Sequence, residues 1–391
     1  MTRWIKNIAL MVVSITIALL ICEGIVRIFG LGGTSLTRGM LHQYDPDAGW
    51  RCYPNLDTRY ILPESFDVRV RCNSQGLRDS EKRFAKPPGI RRIVVLGDSF
   101  MWGYGVENEE MFSAVLQDLL SGSETVNFGV NGYSTVQELV RLEIEGLRYE
   151  PDVTVLVFVW NDLEDNFDDK HGGRPVAVLE EDNSLRIANR PVRRHWKSPL
   201  KQWFCHHSHL FRFGEYNIEL LKLKFRDNQR AGLSIPKIPV PGVAFAAEND
   251  KKTARMKFSM TDIYAPPGPE IDFAWKAIEL LLGRIKQLTT KEGGRLVVVY
   301  AASLEAVDRG IFVKLIRKFG QDPDSMAFNW DRPSNRLGEV CAALDIPYVN
   351  LNPVFRQQFK KTELFSKKNP HWSMAGHRLA AQTVAEKIKG F

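Results

Sequence analysis

Opening an ester with a serine hydroxyl takes a base to remove its proton, a group that orients the base, and donors for the oxyanion that forms. Four short segments supply such residues in a fixed order: Gly97-Asp98-Ser99-Phe100, Asn127-Phe128-Gly129-Val130-Asn131-Gly132, Asn161-Asp162, and His371 ahead of Gly376-His377. Each alone has an ordinary structural explanation. Gly-Asp-Ser fits a strand-to-helix turn in which the serine caps the helix. Gly132 fits a turn with positive φ, Asn161-Asp162 a strand end, and His371 an exposed loop. Together they form a parts list for acyl transfer.

Ser99 is the candidate nucleophile. Asp98 reads as structural, with its side chain turned away from Ser99. His371 stands in Asn369-Pro370-His371-Trp372-Ser373, where Pro370 stiffens the approach and Ser373 can cap the last helix. His377, inside that helix, reads as packing. The Ser99 N–H, the Gly132 N–H and the Asn161 amide are the candidate oxyanion donors. Cys205-His206-His207-Ser208-His209 offers histidines with no carboxylate at ligand spacing, so a metal site is not the expectation there.

These segments need a frame. Ile93–Leu96, Thr125–Phe128, Val153–Val159, Leu296–Tyr300 and Ile346–Val349 read as short apolar strands. Helical stretches alternate with them at 108–120, Thr135–Leu147, 270–292 and 373–389. Near-continuous apolar strands alternating with helices predict a parallel sheet covered on both faces. Ligands gather beyond the carboxyl ends of such strands, where all four segments fall. Phe66–Arg71 alternates like a strand and belongs to a small β extension. That extension ends at Lys86-Pro87-Pro88-Gly89, the clearest boundary in the chain. The expected organisation is 1–30 a membrane anchor, 31–88 a linker with the β extension, and 89–391 the catalytic domain. An irregular inserted lid is expected at about 165–268, with one helix near Phe211–Phe225.

The blocks Gly97-Asp98-Ser99-Phe100, Gly132, Asn161 and His371 resemble those of the SGNH (GDSL-type) serine hydrolases, over about Arg91–Leu163 and the C-terminal 25 or so residues. The resemblance implies a three-layer α/β flavodoxin-like fold with a five-stranded parallel sheet of order 2-1-3-4-5. It implies Ser99 as nucleophile, His371 as base, and Ser99 N–H, Gly132 and Asn161 as the oxyanion hole. It implies no metal and no organic cofactor. One departure stands out. The family places an aspartate three residues before the catalytic histidine, and here that residue is Lys368. Asn369 could orient the ring instead, as could a backbone carbonyl or a distant carboxylate such as Glu164 or Asp165. The expectation is a Ser-His dyad of reduced turnover, with Lys368 lowering the basicity of the imidazole.

The chain of 391 residues is 44% hydrophobic and 25% charged, ordinary for a globular protein. Its formal net charge of +7 comes without a nucleic-acid motif, and its basic residues are dispersed. Arg3 and Lys6 precede an apolar run from Ile8 to Cys22, and no small-x-small cleavage site follows it. An uncleaved single-pass anchor is expected, with a cleaved signal as the alternative. Positive charge ahead of the span places the rest outside the cytoplasm, as in a periplasm. Cys52 and Cys72 would pair in an oxidising compartment or remain free thiols; the sequence leaves both open.

The resulting reading is a membrane-anchored serine esterase that removes or transfers small acyl groups, acetyl foremost, on extracytoplasmic carbohydrate. Two alternatives accompany it. One is a lipid ester or thioester hydrolase whose acyl pocket Trp203, Phe204, Phe211 and Phe213 could line, although core packing is the first use such a stretch suggests. The other is a weakly catalytic glycan-binding or assembly module.

Overall fold

The computed structural model describes residues 2–31, 34–35, 41–62, 65–169, 173–193, 198–230, 261–318, 321–323, 328–367 and 369–391. Lys368 lies outside them, and so does its expected effect on His371.

The central sheet has five parallel strands: Arg91–Gly97, Ser123–Asn127, Val153–Phe158, Arg295–Tyr300 and Tyr348–Asn350. Numbered in that order they lie 2-1-3-4-5 across the sheet. The register shows why the strands are apolar throughout. Val95, Val155 and Val297 are aligned and enter one core, with helices Phe112–Leu119, Asn352–Gln358 and Met374–Ile388. Leu96, Leu156 and Val298 are aligned one residue on and enter the other, with helices Thr135–Ile144, Pro269–Lys291 and Arg332–Ala343. Period-two alternation sends neighbouring side chains to opposite faces. Each buried Val or Leu contributes about 1.5–3 kcal/mol relative to exposure.

The expected elements are present, with shifted ends. Stretch 108–120 is a 3₁₀ turn at Asn108–Glu110 followed by helix Phe112–Leu119. The helix from Thr135 stops at Ile144, before Gly146, and continues as a 3₁₀ turn at Gly146–Tyr149. The last strand begins at Tyr348, after Pro347, which has no N–H to give to the ladder.

The small β extension holds two antiparallel hairpins, His42–Asp45 with Gly49–Cys52 and Asp57–Leu62 with Phe66–Arg71, and Thr34–Ser35 pairs in parallel with Asp57–Leu62. Cys52 and Cys72 are disulfide-bonded, with Cα atoms 6.6 Å apart. The apolar face of the extension closes over Trp102, which belongs to the turn of helix that starts at Ser99. The inserted region is described at 165–169, 173–193, 198–230 and 261–268. It holds a hairpin, Val176–Leu179 with Leu185–Ala188, and helices Ser198–His207 and His209–Arg230.

Arg3–Ile28 lies in one helix long and apolar enough, by length and composition, to cross a membrane. Near its end, the Glu23 carboxylate accepts hydrogen bonds from the N–H groups of His209 and Leu210 and from the Ser208 hydroxyl. Phe211 stacks on Phe204, and Trp203 on His207, beside this junction. Phe204 and Phe211 thus meet within the helix pair that joins the N-terminal helix, while Trp203 and Phe204 remain exposed.

Candidate active site

Ser99 opens the helical turn Ser99–Trp102 directly after the first sheet strand. The cap is Asp98, not Ser99: the Phe100 N–H donates to Asp98 Oδ1 at 2.9 Å. The Asp98 carboxylate is not turned away either, since its Oδ2 lies 3.5 Å from Ser99 Oγ. As the first helical residue, Ser99 has an N–H with no intrahelical acceptor. The Gly103 N–H, at the left-handed C-cap, returns to the Phe100 and Ser99 carbonyls. Arg78, 1% exposed, then grips the exit of the turn. Its guanidinium donates to the carbonyls of Trp102 (2.9 Å), Gly103 (2.6 Å) and Val106 (2.6 Å), and to Asn108 Oδ1 (3.0 Å). Burial pulls Arg78 down to about 9, which still leaves it charged at neutral pH.

His371 meets this turn from the far end of the chain. A bridge between Phe365 and Trp372 and a Trp372 indole N–H bond to the Ala302 carbonyl (2.8 Å) fix its backbone. Ser373 then caps the last helix by accepting from the Gly376 N–H. His371 Nε2 lies 2.8 Å from Ser99 Oγ. On the other side of the ring, Nδ1 lies 3.2 Å from Asn369 Oδ1.

The tautomer follows from an obligate donor. The His371 backbone N–H also faces Asn369 Oδ1, at 3.0 Å, and a backbone N–H can only donate. That amide atom is therefore the oxygen. The amide nitrogen points the opposite way, donating to Ser65 Oγ at 2.7 Å and Ser366 Oγ at 2.9 Å. An oxygen facing Nδ1 makes Nδ1 the protonated nitrogen and leaves the Nε2 lone pair for the serine O–H. Tyr104 stacks on the imidazole at 4.3 Å, and Phe100 lies at 5.1 Å from it. Tyr104 is held in turn by Tyr60 and Phe66 of the β extension.

The candidate oxyanion donors sit on the next two loops. Asn127 stitches its loop to the Ser99 turn, donating from Nδ2 to the Met101 carbonyl at 3.0 Å and accepting from the Gly129 N–H at 3.0 Å. The approach is close enough that a Cβ on Gly129 would overlap the backbone of Met101 and Trp102. Gly132 has φ +73°, a region where other residues are strained. Asn161 follows the third strand. Its Nδ2 gives one N–H to Asp165 Oδ2 at 2.9 Å, and the amide has a second N–H. Asp162 fixes the turn, accepting from the Val159 N–H at 2.9 Å.

Carboxylates crowd beneath these loops. Glu138 is 1% exposed, and neither of its oxygens has a protein hydrogen-bond partner among the described residues. Burial first, then the charges of Asp162 and Asp98, push Glu138 well above the usual carboxylate range. Burial and Asp98 raise Asp162 likewise, so Glu138 and Asp162 resist ionising together. His377 is buried with Nδ1 accepting from the Phe112 N–H at 3.2 Å; burial pulls it down to about 3, so it stays neutral.

The fold thus brings Ser99, His371 and Asn369 into one hydrogen-bonded row, with Gly132 and Asn161 on the adjoining loops. Asp165 is turned to Asn161 and to Arg174. Among the described residues no cluster of three His, Cys, Asp or Glu could hold a metal ion. Reading the sequence missed Ser65, Tyr104, Ser366 and Arg174. Tyr104 alone carried a signal, standing between Gly103 and Gly105 just after the serine turn.

Residues 95–195 match the model of the GDSL-like Lipase/Acylhydrolase family. No curated protein matches the chain. Similar solved structures include the acetyl xylan esterase AlAXEase, 12% identical over 76% of this chain and 99% of that one, with a TM-score of 0.38. A lipolytic protein of the G-D-S-L family from Veillonella parvula DSM 2008 is 11% identical over 77% of this chain and 100% of that one, with a TM-score of 0.39. A lipase/acylhydrolase from Enterococcus faecalis is 15% identical over 77% and 96%, with a TM-score of 0.36. At such scores these likenesses add no weight to the family match. Residues 95–195 thus carry the GDSL-like lipase/acylhydrolase match, on a five-stranded parallel sheet of order 2-1-3-4-5, and this supports an ester-bond hydrolase.

Proposed function

We propose that this protein is a membrane-anchored serine esterase, working outside the cytoplasm through an acyl-enzyme on Ser99. The observation that carries the reading is the 2.8 Å contact between Ser99 Oγ and an imidazole whose Nδ1 is committed to Asn369. In the proposed reaction the hydroxyl passes its proton to His371 Nε2 as the oxygen attacks the ester carbonyl. The Ser99 and Gly132 N–H groups and the second Asn161 N–H receive the oxyanion. Collapse expels the alcohol, which takes the proton from Nε2 and leaves the acyl group on Ser99. Water, or a second alcohol in a transferase, then gives its proton to Nε2 and releases the acyl group by the reverse steps. Hydrolysis and transfer differ only in that acceptor.

Ser99 is 7% exposed and the base packs against the Tyr104 and Phe100 rings, which favours a small acyl group such as acetyl. The aromatic stretch that could line a longer pocket lies on the helix pair that meets the N-terminal helix, with Trp203 and Phe204 exposed. Carbohydrate as the carrier of the ester rests on location. The apolar N-terminal helix, with Arg3 and Lys6 in its first turns, supports an inner-membrane anchor with the domain in the periplasm.

The test is labelling by a fluorophosphonate and turnover of p-nitrophenyl acetate and octanoate. Ser99→Ala should abolish labelling, and Ser99→Ala and His371→Ala should each cut turnover about 10³-fold or more. Acetate should be preferred over octanoate. Wild-type protein with no Ser99-dependent labelling or turnover would instead leave a glycan-binding module of the same fold.

A further inference from the structure

The inserted region sends one buried cation into the site. Arg174 is 3% exposed. Its NH2 meets Asp165 Oδ1 at 2.6 Å, and the other oxygen of that carboxylate accepts the Asn161 amide N–H at 2.9 Å. Its NH1 donates to the Gly132 carbonyl at 3.3 Å, and its Nε to the Asp168 carbonyl at 2.6 Å. The Arg174 carbonyl accepts from Asn189 Nδ2 at 2.7 Å. One rigid guanidinium fork therefore touches the backbone of Gly132 directly and the side chain of Asn161 through Asp165.

We infer that Arg174 is the positioning residue of the oxyanion hole, setting the Gly132 loop and the Asn161 amide in register with each other. The inference rests on the reading above, in which those two groups receive the oxyanion. Two physical arguments support it. An amide with one N–H committed to Asp165 has its plane fixed, so the direction of its second N–H is set by whatever holds Asp165. That anchor is Arg174. The second argument is electrostatic. An unpaired carboxylate one hydrogen bond from an oxyanion donor would repel the charge that the donor must stabilise. The Arg174 cation cancels it in place. A lysine could supply the charge but not the planar fork that reaches Asp165, Gly132 and Asp168 at once.

The experiment compares Arg174→Ala, Arg174→Lys, Asp165→Asn and Arg174→Ala/Asp165→Asn with wild type, each in wild-type and Asn161→Ala backgrounds. Thermal unfolding confirms that each variant folds. Arg174→Ala should lower kcat about 10–100-fold with KM within about threefold, as expected when donors needed only in the transition state are misplaced. Arg174→Lys should recover little. Arg174→Ala/Asp165→Asn, which removes the stranded charge, should be faster than Arg174→Ala and stands in for it if the single variant does not fold. In the Asn161→Ala background, removing Arg174 should cost far less than in wild type, because the two act on one step. A folded Arg174→Ala with wild-type kcat, or the same fold-loss in both backgrounds, overturns the inference. If Ser99→Ala or Asn161→Ala itself keeps full activity, the reading of the site has failed first, and that result is separable from failure of the Arg174 role alone.

Discussion

The two sides of the candidate site are built from different materials. Among the described residues, the groups placed around the base are neutral: Asn369 on its Nδ1, the Ser65 and Ser366 hydroxyls behind that amide, and the Tyr104 and Phe100 rings on the imidazole. The oxyanion side is held by ions. Asp165 and Arg174 brace Asn161 and Gly132, and the carboxyl groups of buried Asp162 and of Glu138, on helix Thr135–Ile144, oppose each other nearby. The usual esterase arrangement concentrates its carboxylate on the base. Here fixed negative charge has moved to the opposite side, where it must be neutralised by Arg174 or by protonation. Orientation of the base survives this exchange, since an amide oxygen selects the same tautomer as a carboxylate. Stabilisation of the imidazolium is what the neutral side gives up.

If the ionic side carries the larger share of catalysis, removing its donor costs most. Asn161→Ala should lower kcat about 10²–10³-fold with little change in KM. Steady-state rates on p-nitrophenyl acetate measure this, and a loss confined to KM would place Asn161 in substrate binding instead.

The neutral side allows a gain as well as a loss. Asn369→Ala should cost about tenfold in kcat by releasing the ring from its tautomer. Asn369→Asp keeps the shape, and the Ser65 and Ser366 hydroxyls can rotate to donate to the new oxygen. Replacing a neutral hydrogen bond by a charged one adds about 1 kcal/mol, or roughly fivefold in rate. If Asn369→Asp is slower than wild type, the amide is the better partner and the contrast between the two sides disappears.

What was legible in the sequence divides along the same line. Ser99 and His371 could be paired because each follows or precedes a recognisable element, and strand periodicity fixed the ends of the sheet to which both belong. Asn369 could be named as an orienting candidate because it is two residues from the base. Ser65 could not, since it meets Asn369 across 304 positions and only the folded hairpin brings it there. The pairing of Cys52 with Cys72 depended on a distance that spacing does not set. Arg174 was hidden within an insertion read as irregular, where no period marks which arginine turns inward. Local chemistry was written in order along the chain, while the groups that aim it came from contacts between distant segments.

The smallest effect expected is on stability, and it tests whether the ionic side really carries surplus carboxyl groups. Glu138 has neither oxygen paired among the described residues, and its pKa lies well above the ordinary range because burial and the neighbouring Asp162 and Asp98 oppose its charge. A carboxyl group raised on folding supports the native state fully below its unfolded value, near 4.3. Above that, the unfolded chain gains by ionising while the folded group keeps its proton, and stability falls as pH rises toward the folded value. Glutamine has the same shape and no proton to lose. Glu138→Gln should therefore unfold about 1–3 °C above wild type at pH 8, with the advantage shrinking toward pH 4. Melting curves across that range decide the matter. A deficit that deepens as pH rises would mean that Glu138 works as an anion, and the count of charges beneath the oxyanion loops would have to be redrawn around it.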